Sequence, residues 1–483
     1  MQGATLSPLL YNLYTSQILD YVNIPQVKIL QFADDLLLYS ENQSLNIAVN
    51  SINTALNKLQ TYYRIFLKLE ISSEKSSVLV FSKDPFAHTV NISYNNDKIP
   101  IVNHHKFLGV VVDDKLKFDK HIQYICQNAM KSINVMRSLA GTFWGSDPKT
   151  LNMLYKSIVR SHFDYSSLAY MNVNSTLLRK LDVIQNIGLR VISGAMRTTP
   201  INSMEVENCI PPLCLRCLQL AERFCLKELA NENSVILDRV SYPVEITQSI
   251  EASSISTNTL ISGLLPEIPT IMSYIKNLTN NNDLLYKLEK HVEFVWVPSH
   301  SGITGNEVVD EATRRDHDDD LTDSFKVPFT DYYMQIKIHL KRRWKEYWNY
   351  NTEILNKGQW YSEIQRDLPM IPWYNSFKYN NRKFITCINR LHVGHCCVPA
   401  HLKRKKIILD DNCTYCSKEN ADIKHVLFEC EMFNIQRLLL ASVISDVAEE
   451  NSLSVPRRPR DLLSYRAFFL PVFKFISNTV EQI

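Results

Sequence analysis

No apolar run in these 483 residues is long enough to span a bilayer, which excludes a helical membrane protein. The opening "MQGATLSPLL" lacks the basic n-region of a secretory signal. The cysteine count, 11, is odd and argues against a disulfide framework. Together these absences point to a reducing, intracellular setting. Internal repeats and long low-complexity tracts are also missing, which excludes a repeat architecture. What remains is 45% apolar and 21% charged, the balance of a soluble globular protein long enough for roughly two to four domains.

The net charge of +3 hides an uneven distribution. Residues 337–406 carry 15 Lys and Arg against 4 Asp and Glu, leaving the rest of the chain acidic. Within this region "KIHLKRRWKEYWNY" sets Lys341, Arg342, Arg343 and Lys345 among Trp344, Tyr347, Trp348 and Tyr350. Cations for phosphates and aromatic faces for bases make a nucleic-acid surface. Trp344, Tyr347 and Trp348 also share one helical face, so the same pattern fits a solvated helix whose aromatics pack inward.

The stretch "QFADDLLLYS" (31–40) places two adjacent carboxylates, Asp34 and Asp35, between apolar runs. Short apolar runs around a polar break predict the two strands of a hairpin. Two unit charges cannot enter a core without a cation or protons to offset their desolvation. The pair therefore faces water or metal. Beyond it, Ile52, Leu56, Leu59, Tyr63 and Phe66 predict a helix near 44–67, and "SSVLVFSK" and "KFLGVVVD" read as strands. From Lys120 to about Ala230 the pattern is helical, and Cys214-x2-Cys217 within it reads as structural. Residues 231–283 look like a linker or eroded domain, and "HVEFVWVPSH" alternates as a strand.

The ordered series Gln2-Gly3, Leu6-Ser7-Pro8, "FADD", "SSEKSSVLVF" and "HKFLGVVVD" resembles the palm of a reverse transcriptase of the non-LTR retrotransposon type. The later "IQNIGLRVISGAMRTTP" and "IPPL" resemble the region that follows in jockey-like elements. The resemblance covers most of residues 1–225. It implies that Asp34 is a Mg2+ ligand and that Asp35 ligates or supports. Nucleotidyl transfer uses such carboxylates to hold two divalent ions. It further implies that Gln2 and Gly3 flank the incoming nucleotide and template, and that Lys106 to Gly109 lie at the primer grip. Lys75 is read either as neutralising the pyrophosphate or as an ordinary surface lysine. The family's first metal-binding Asp lies upstream of the Gln-Gly motif, as do the fingers, so these 483 residues are not expected to polymerise alone.

"WVPSHSGITGNEVVDEATR" (296–314) resembles the end of a type 1 ribonuclease H domain. His300 and Asp310 match a His and the last metal-binding acid of that motif, with Asn306 as a helix cap. The three earlier acids are not identifiable upstream, so this segment reads as a remnant.

Cys413-x2-Cys416-x8-His425-x4-Cys430 has the spacing of a closed Zn2+ site, with a hairpin holding the first Cys pair and a helix presenting His425. The preceding "NRLHVGH" resembles the lead-in to the C-terminal zinc segment of jockey-like elements. The expected fold class is α+β. Its domains are a partial palm (1–118), a helical thumb or connection (119–230), a linker (231–283), the ribonuclease H remnant (284–316), a basic zinc-binding region (337–440) and a tail (441–483). The leading function is a fragment of an RNA-directed DNA polymerase, inactive alone. The resemblance implies template RNA, primer DNA and deoxynucleoside triphosphates as partners, no membrane, and a nuclear site of action. The alternatives are a non-catalytic nucleic-acid-binding protein derived from a transposon, or a product without function.

Overall fold

The computed structural model describes residues 6–82, 89–229, 330, 333–377 and 381–480. Among the described residues strand is confined to 28–113, in three two-stranded antiparallel sheets, and helix dominates elsewhere. The chain divides into two compact units, Met1–Ile125 and Cys126–Ile483.

The first unit opens with α1 (Ser7–Thr15) and α2 (Ile18–Val22), followed by strands β1 (Lys28–Phe32) and β2 (Asp35–Tyr39). Helix α3 (Leu45–Tyr62) continues into a π-helical turn, Tyr63–Leu67. This is the helix that the spacing over 44–67 predicts. Its apolar face, with Ala55, Leu59, Tyr62, Tyr63 and Leu67, packs with Ile18, Val22, Tyr94 and Ile99 into one core. Pairs β3 (Ser93–Tyr94)–β4 (Asp97–Lys98) and β5 (His104–Phe107)–β6 (Val110–Asp113) complete the unit.

"KFLGVVVD" is thus the heart of a hairpin and not a single strand. Leu108 and Gly109 both take positive φ at its tip, as a tight two-residue turn of the I′ kind requires. "SSVLVFSK" does not form a strand among the described residues. Only Val78 pairs, in a parallel bridge to Ile101, because its N–H and C=O bond to Pro100 and Val102 and no neighbour continues the ladder.

Helix α4 (Asp119–Leu139) follows, with Ile122, Ile125, Ala129, Ile133 and Met136 buried. In the second unit α5 (Pro148–Leu154) is capped by Asp147, whose carboxylate accepts the N–H groups of Lys149 and Thr150. Helices α6 (Ser175–Ser193), α7 (Ile201–Glu207) and α8 (Leu213–Leu229) follow. Cys214 and Cys217 both lie on α8. Further along come α9 (Tyr333–Asn349), α10 (Gln359–Ile364), α11 (Arg382–His392), α12 (Pro399–Arg404), α13 (Asn434–Glu450) and α14 (Phe469–Thr479).

The segments 126–229 and 333–480, separate in the sequence reading, share this second unit. Helix α11 docks on the C-terminal end of α6. Arg382 donates from Nη1 to Ile192 O at 2.6 Å and from Nη2 to Val191 O at 2.7 Å, while Asn389 Nδ2 donates to Ser193 O at 3.1 Å. Cations and donors at a helix C-terminus satisfy carbonyls that have no intrahelical partner. Gly194 ends α6 at φ +66°, and a Cβ there would meet the Thr386 side chain at 2.5 Å.

Candidate functional site

The acid pair sits at the tip of the β1–β2 hairpin. Register pairs Phe32 with Asp35 and Ile29 with Leu38, and Ala33 turns the chain at φ +50°. Side chains alternate across the sheet, so Ile29, Leu36 and Leu38 pack on the core while Leu30, Phe32 and Asp35 share the outer face. Asp34 and Asp35 are both exposed. The hairpin is tied to α1 by Gln31 Nε2, which donates to Thr15 Oγ1 at 2.7 Å, and α1 is tied in turn to the end of the α3 segment by Tyr14, which donates to Leu67 O at 2.7 Å. Burial raises the Tyr11 hydroxyl above its ordinary range, and the Asp34 charge adds to the rise. Exposed carboxylates are hard oxygen donors of the kind Mg2+ takes.

Lys75 is exposed in the turn after α3, and its backbone N–H donates to Ser72 Oγ at 3.4 Å. Lys106 lies on β5, with Nζ donating to Tyr124 Oη at 2.8 Å and standing 4.5 Å over that ring. Gly109 is in the β5–β6 turn. Gln2, Gly3, His300, Asn306 and Asp310 lie outside the described residues, as does the whole linker and ribonuclease H reading.

The basic helix α9 divides its residues differently from the nucleic-acid reading. Trp348 is 1% exposed, and it packs with Trp344 and Tyr347 against Val206, Leu215, Tyr361 and Val393. These aromatics are core and do not offer faces to bases. An apolar stripe on one side of a helix is worth more buried than exposed. Arg343 is buried too, donating from Nη1 to Glu222 Oε1 at 2.7 Å. It neutralises a carboxylate of α8 and is withdrawn from the basic surface. Lys345 pairs with Asp367 at 3.1 Å, Lys341 Nζ lies 3.6 Å from Met370 Sδ, and Arg342 is exposed.

Cys413, Cys416, His425 and Cys430 converge, with their ligand atoms all within 4.8 Å of one another. Cys413 Sγ lies 3.9 Å from Cys430 Sγ, and Cys416 Sγ lies 3.4 Å from His425 Nε2. A tetrahedral ion with Zn–S of ~2.3 Å and Zn–N of ~2.05 Å requires edges of about 3.8 and about 3.6 Å, which these two pairs match, and three soft thiols with one imidazole are a donor set that such an ion takes. The first Cys pair sits in a tight loop without flanking strands, in place of the expected hairpin. Cys413 N donates to Lys418 O at 2.8 Å, and Ser417 N donates to Cys413 O at 2.9 Å. His425 begins a helical turn, His425–Glu429, whose first N–H Asp422 caps at 2.8 Å. Burial pushes the Cys430 thiol up to about 12, whereas the Lys418 N–H lowers that of Cys416. Among the described residues this is the one group of three or more such ligands.

The sequence reading missed a buried polar cluster. Glu207 accepts from Trp373 Nε1 at 2.7 Å, from Tyr361 Oη, and meets His392 Nδ1 at 3.0 Å. His392 belongs to the "NRLHVGH" motif, which here stitches α11 to α7. Polar residues recurring at otherwise apolar helical positions were the available signal.

A family model described as reverse transcriptase (RNA-dependent DNA polymerase) matches residues 1–112. The chain is similar to the RNA-directed DNA polymerase from mobile element jockey of Drosophila melanogaster, 24% identical over 48% of this chain and 26% of that protein. The corresponding Drosophila funebris protein is 22% identical over the same shares. A retrovirus-related Pol polyprotein from a type-1 retrotransposable element of Nasonia vitripennis is 23% identical over 41% of this chain and 54% of its own length. The chain spans about a quarter of the length of the jockey relatives it matches. No helix among the described residues is long and apolar enough to cross a membrane. Residues 1–112 are thus similar to the reverse transcriptase family, and about half of the chain is similar to the jockey mobile-element proteins.

Proposed function

We propose that the chain is a portion of a retrotransposon RNA-directed DNA polymerase, working on template RNA, primer DNA and deoxynucleoside triphosphates, in the nucleus. The observation that carries this reading is the exposed Asp34–Asp35 pair at a hairpin tip inside the 112 residues that match the family. Bound Mg2+ would lower the charge barrier to nucleotidyl transfer. Asp34 and Asp35 would hold it, the α1 contacts keep the hairpin in place, and Lys106 and Gly109 would border the primer. Lys75 would supply a cation to the leaving group. Asp310 would be left from a ribonuclease H site without partners. The Cys413–Cys416–His425–Cys430 group would hold a closed structural zinc, and Lys341, Arg342 and Lys345 would lie toward nucleic acid.

The palm motifs in these 483 residues supply only two acids, so the chain alone should extend a primer on RNA no faster than background, and should cut no RNA–DNA hybrid. Joined to the upstream half of such a palm, it should extend, and Asp34→Ala should abolish that extension. Extension by the isolated chain that vanishes in Asp34→Ala would overturn the inactivity. Extension by the joined protein that survives Asp34→Ala would overturn the assignment of the site.

A second reading, a nucleic-acid-binding protein without catalysis, is favoured by the zinc-sized geometry of the Cys/His group.

A further inference from the structure

The loop after α6 lies against α12 through a relay of neutral groups. Thr198 Oγ1 is 3.0 Å from His395 Nδ1 and 3.2 Å from His401 Nε2, and the two imidazoles are 4.5 Å apart. Arg404 Nη2 donates to His401 Nδ1 at 2.9 Å. That makes Nδ1 the acceptor, leaves the proton on Nε2 facing Thr198, and fixes the direction of the Arg404 guanidinium. Burial and the charges of Arg404 and Lys405 hold His395 down to about 3 and His401 to about 4. Both rings are therefore uncharged at neutral pH, and the charges acting on them are cationic.

Around this relay positive charge accumulates without compensation. Arg197, next to Thr198, is exposed, and its carbonyl accepts from Arg190 Nη2 at 3.3 Å. Lys405 and Lys406 follow Arg404 and are exposed. In "HLKRKK" Lys403 pairs with Asp411 at 2.9 Å, while Arg197, Arg404, Lys405 and Lys406 have no ion pair among the described residues. Like charges held together by a buried scaffold cost free energy unless an anion meets them. An exposed aromatic follows a ring that Arg390 covers. Arg390 donates to Gly194 O at 3.0 Å and stands 5.0 Å over Phe143, and the adjoining Trp144 is 62% exposed.

We propose that this corner, with Arg197, Arg404 and Lys405 for phosphates and Trp144 for a base, is where the chain holds single-stranded nucleic acid. The inference rests on the reading that the chain handles nucleic acid, and it moves the contact away from the aromatic side of α9, which is core. Arg404 touches the backbone. Thr198 and His401 position it.

The test is fluorescence anisotropy of the full chain with a short labelled single-stranded RNA across a potassium chloride series. Wild type should lose affinity log-linearly with salt. The triple variant R197A/R404A/K405A should lower the slope by about two, at about 0.7 per phosphate on a single strand. R197K/R404K should retain it, which separates lost charge from lost fold. Trp144→Ala should weaken RNA binding about tenfold without changing the slope. A triple variant that melts like wild type and keeps the full slope would overturn this surface while leaving the nucleic-acid reading intact. An absence of salt-dependent binding by wild type would overturn both.

Discussion

His392 Nδ1 lies 3.0 Å from Glu207 Oε1 across 185 positions of sequence, and the same carboxylate accepts from Trp373 and Tyr361. All four side chains are buried. One acid thus ties α7 to α10, α11 and the Trp373 turn.

Glu207→Ala would leave Tyr361 Oη and His392 Nδ1 without their partner, while Trp373 Nε1 keeps Asn389 Oδ1 at 3.1 Å. Each unsatisfied group costs roughly 1–3 kcal/mol, so the variant should lose at least about 2 kcal/mol. Glu207→Gln, which keeps one acceptor and the volume, should lose clearly less. Urea unfolding followed by circular dichroism reads both. A loss below about 1 kcal/mol in Glu207→Ala would show that the cluster tolerates water.

Arg343→Ala should act on stability and leave the salt dependence of nucleic-acid binding unchanged. Its partner Glu222 would remain as a buried charge, a loss of about 3–5 kcal/mol. Replacing both residues by apolar ones of similar volume should recover most of that loss. The assignment fails if Arg343→Ala melts like wild type and lowers the salt slope instead.

One zinc per chain is expected by elemental analysis under reducing conditions, and it should vanish in Cys413→Ser. Sites of this kind form with their metal, so chelation should loosen residues 411–433 first and raise amide exchange there. Hydrogen exchange that stays unchanged on chelation would contradict a structural role.

Acid should destabilise the second unit through His395 and His401. Their folded values, about 3 and about 4, lie below the ordinary 6.5 of an imidazole. The unfolded chain therefore binds up to two more protons between these limits. Stability is complete above about pH 6.5 and declines as pH falls toward 4, by at most about 1.4 kcal/mol per pH unit per proton. Melting curves from pH 7 to pH 4 should be flatter in His395→Gln/His401→Gln than in wild type. Parallel curves would exclude the imidazoles as the cause.

Much of this protein was legible without coordinates where a local rule sufficed. The acid pair between apolar runs specified a hairpin, because period-two burial leaves charges only the tip or the outer face. The four-and-three spacing specified α3. Four zinc-type ligands within eighteen residues, Cys413 to Cys430, specified their own cluster, since the intervening chain is too short to separate them. Elsewhere local rules were silent or pointed two ways. The face shared by Trp344, Tyr347 and Trp348 fits a core or a base-stacking surface equally, and the apolar floor that α7, α8 and α10 provide decided for core. Arg343 reads like its basic neighbours until Glu222, 121 positions earlier, stands opposite it. The relay from His395 through Thr198 to His401 and Arg404 joins residues about two hundred positions apart. No spacing along the chain encodes that meeting; it follows only when the end of α6 and the start of α11 bury their polar groups against each other.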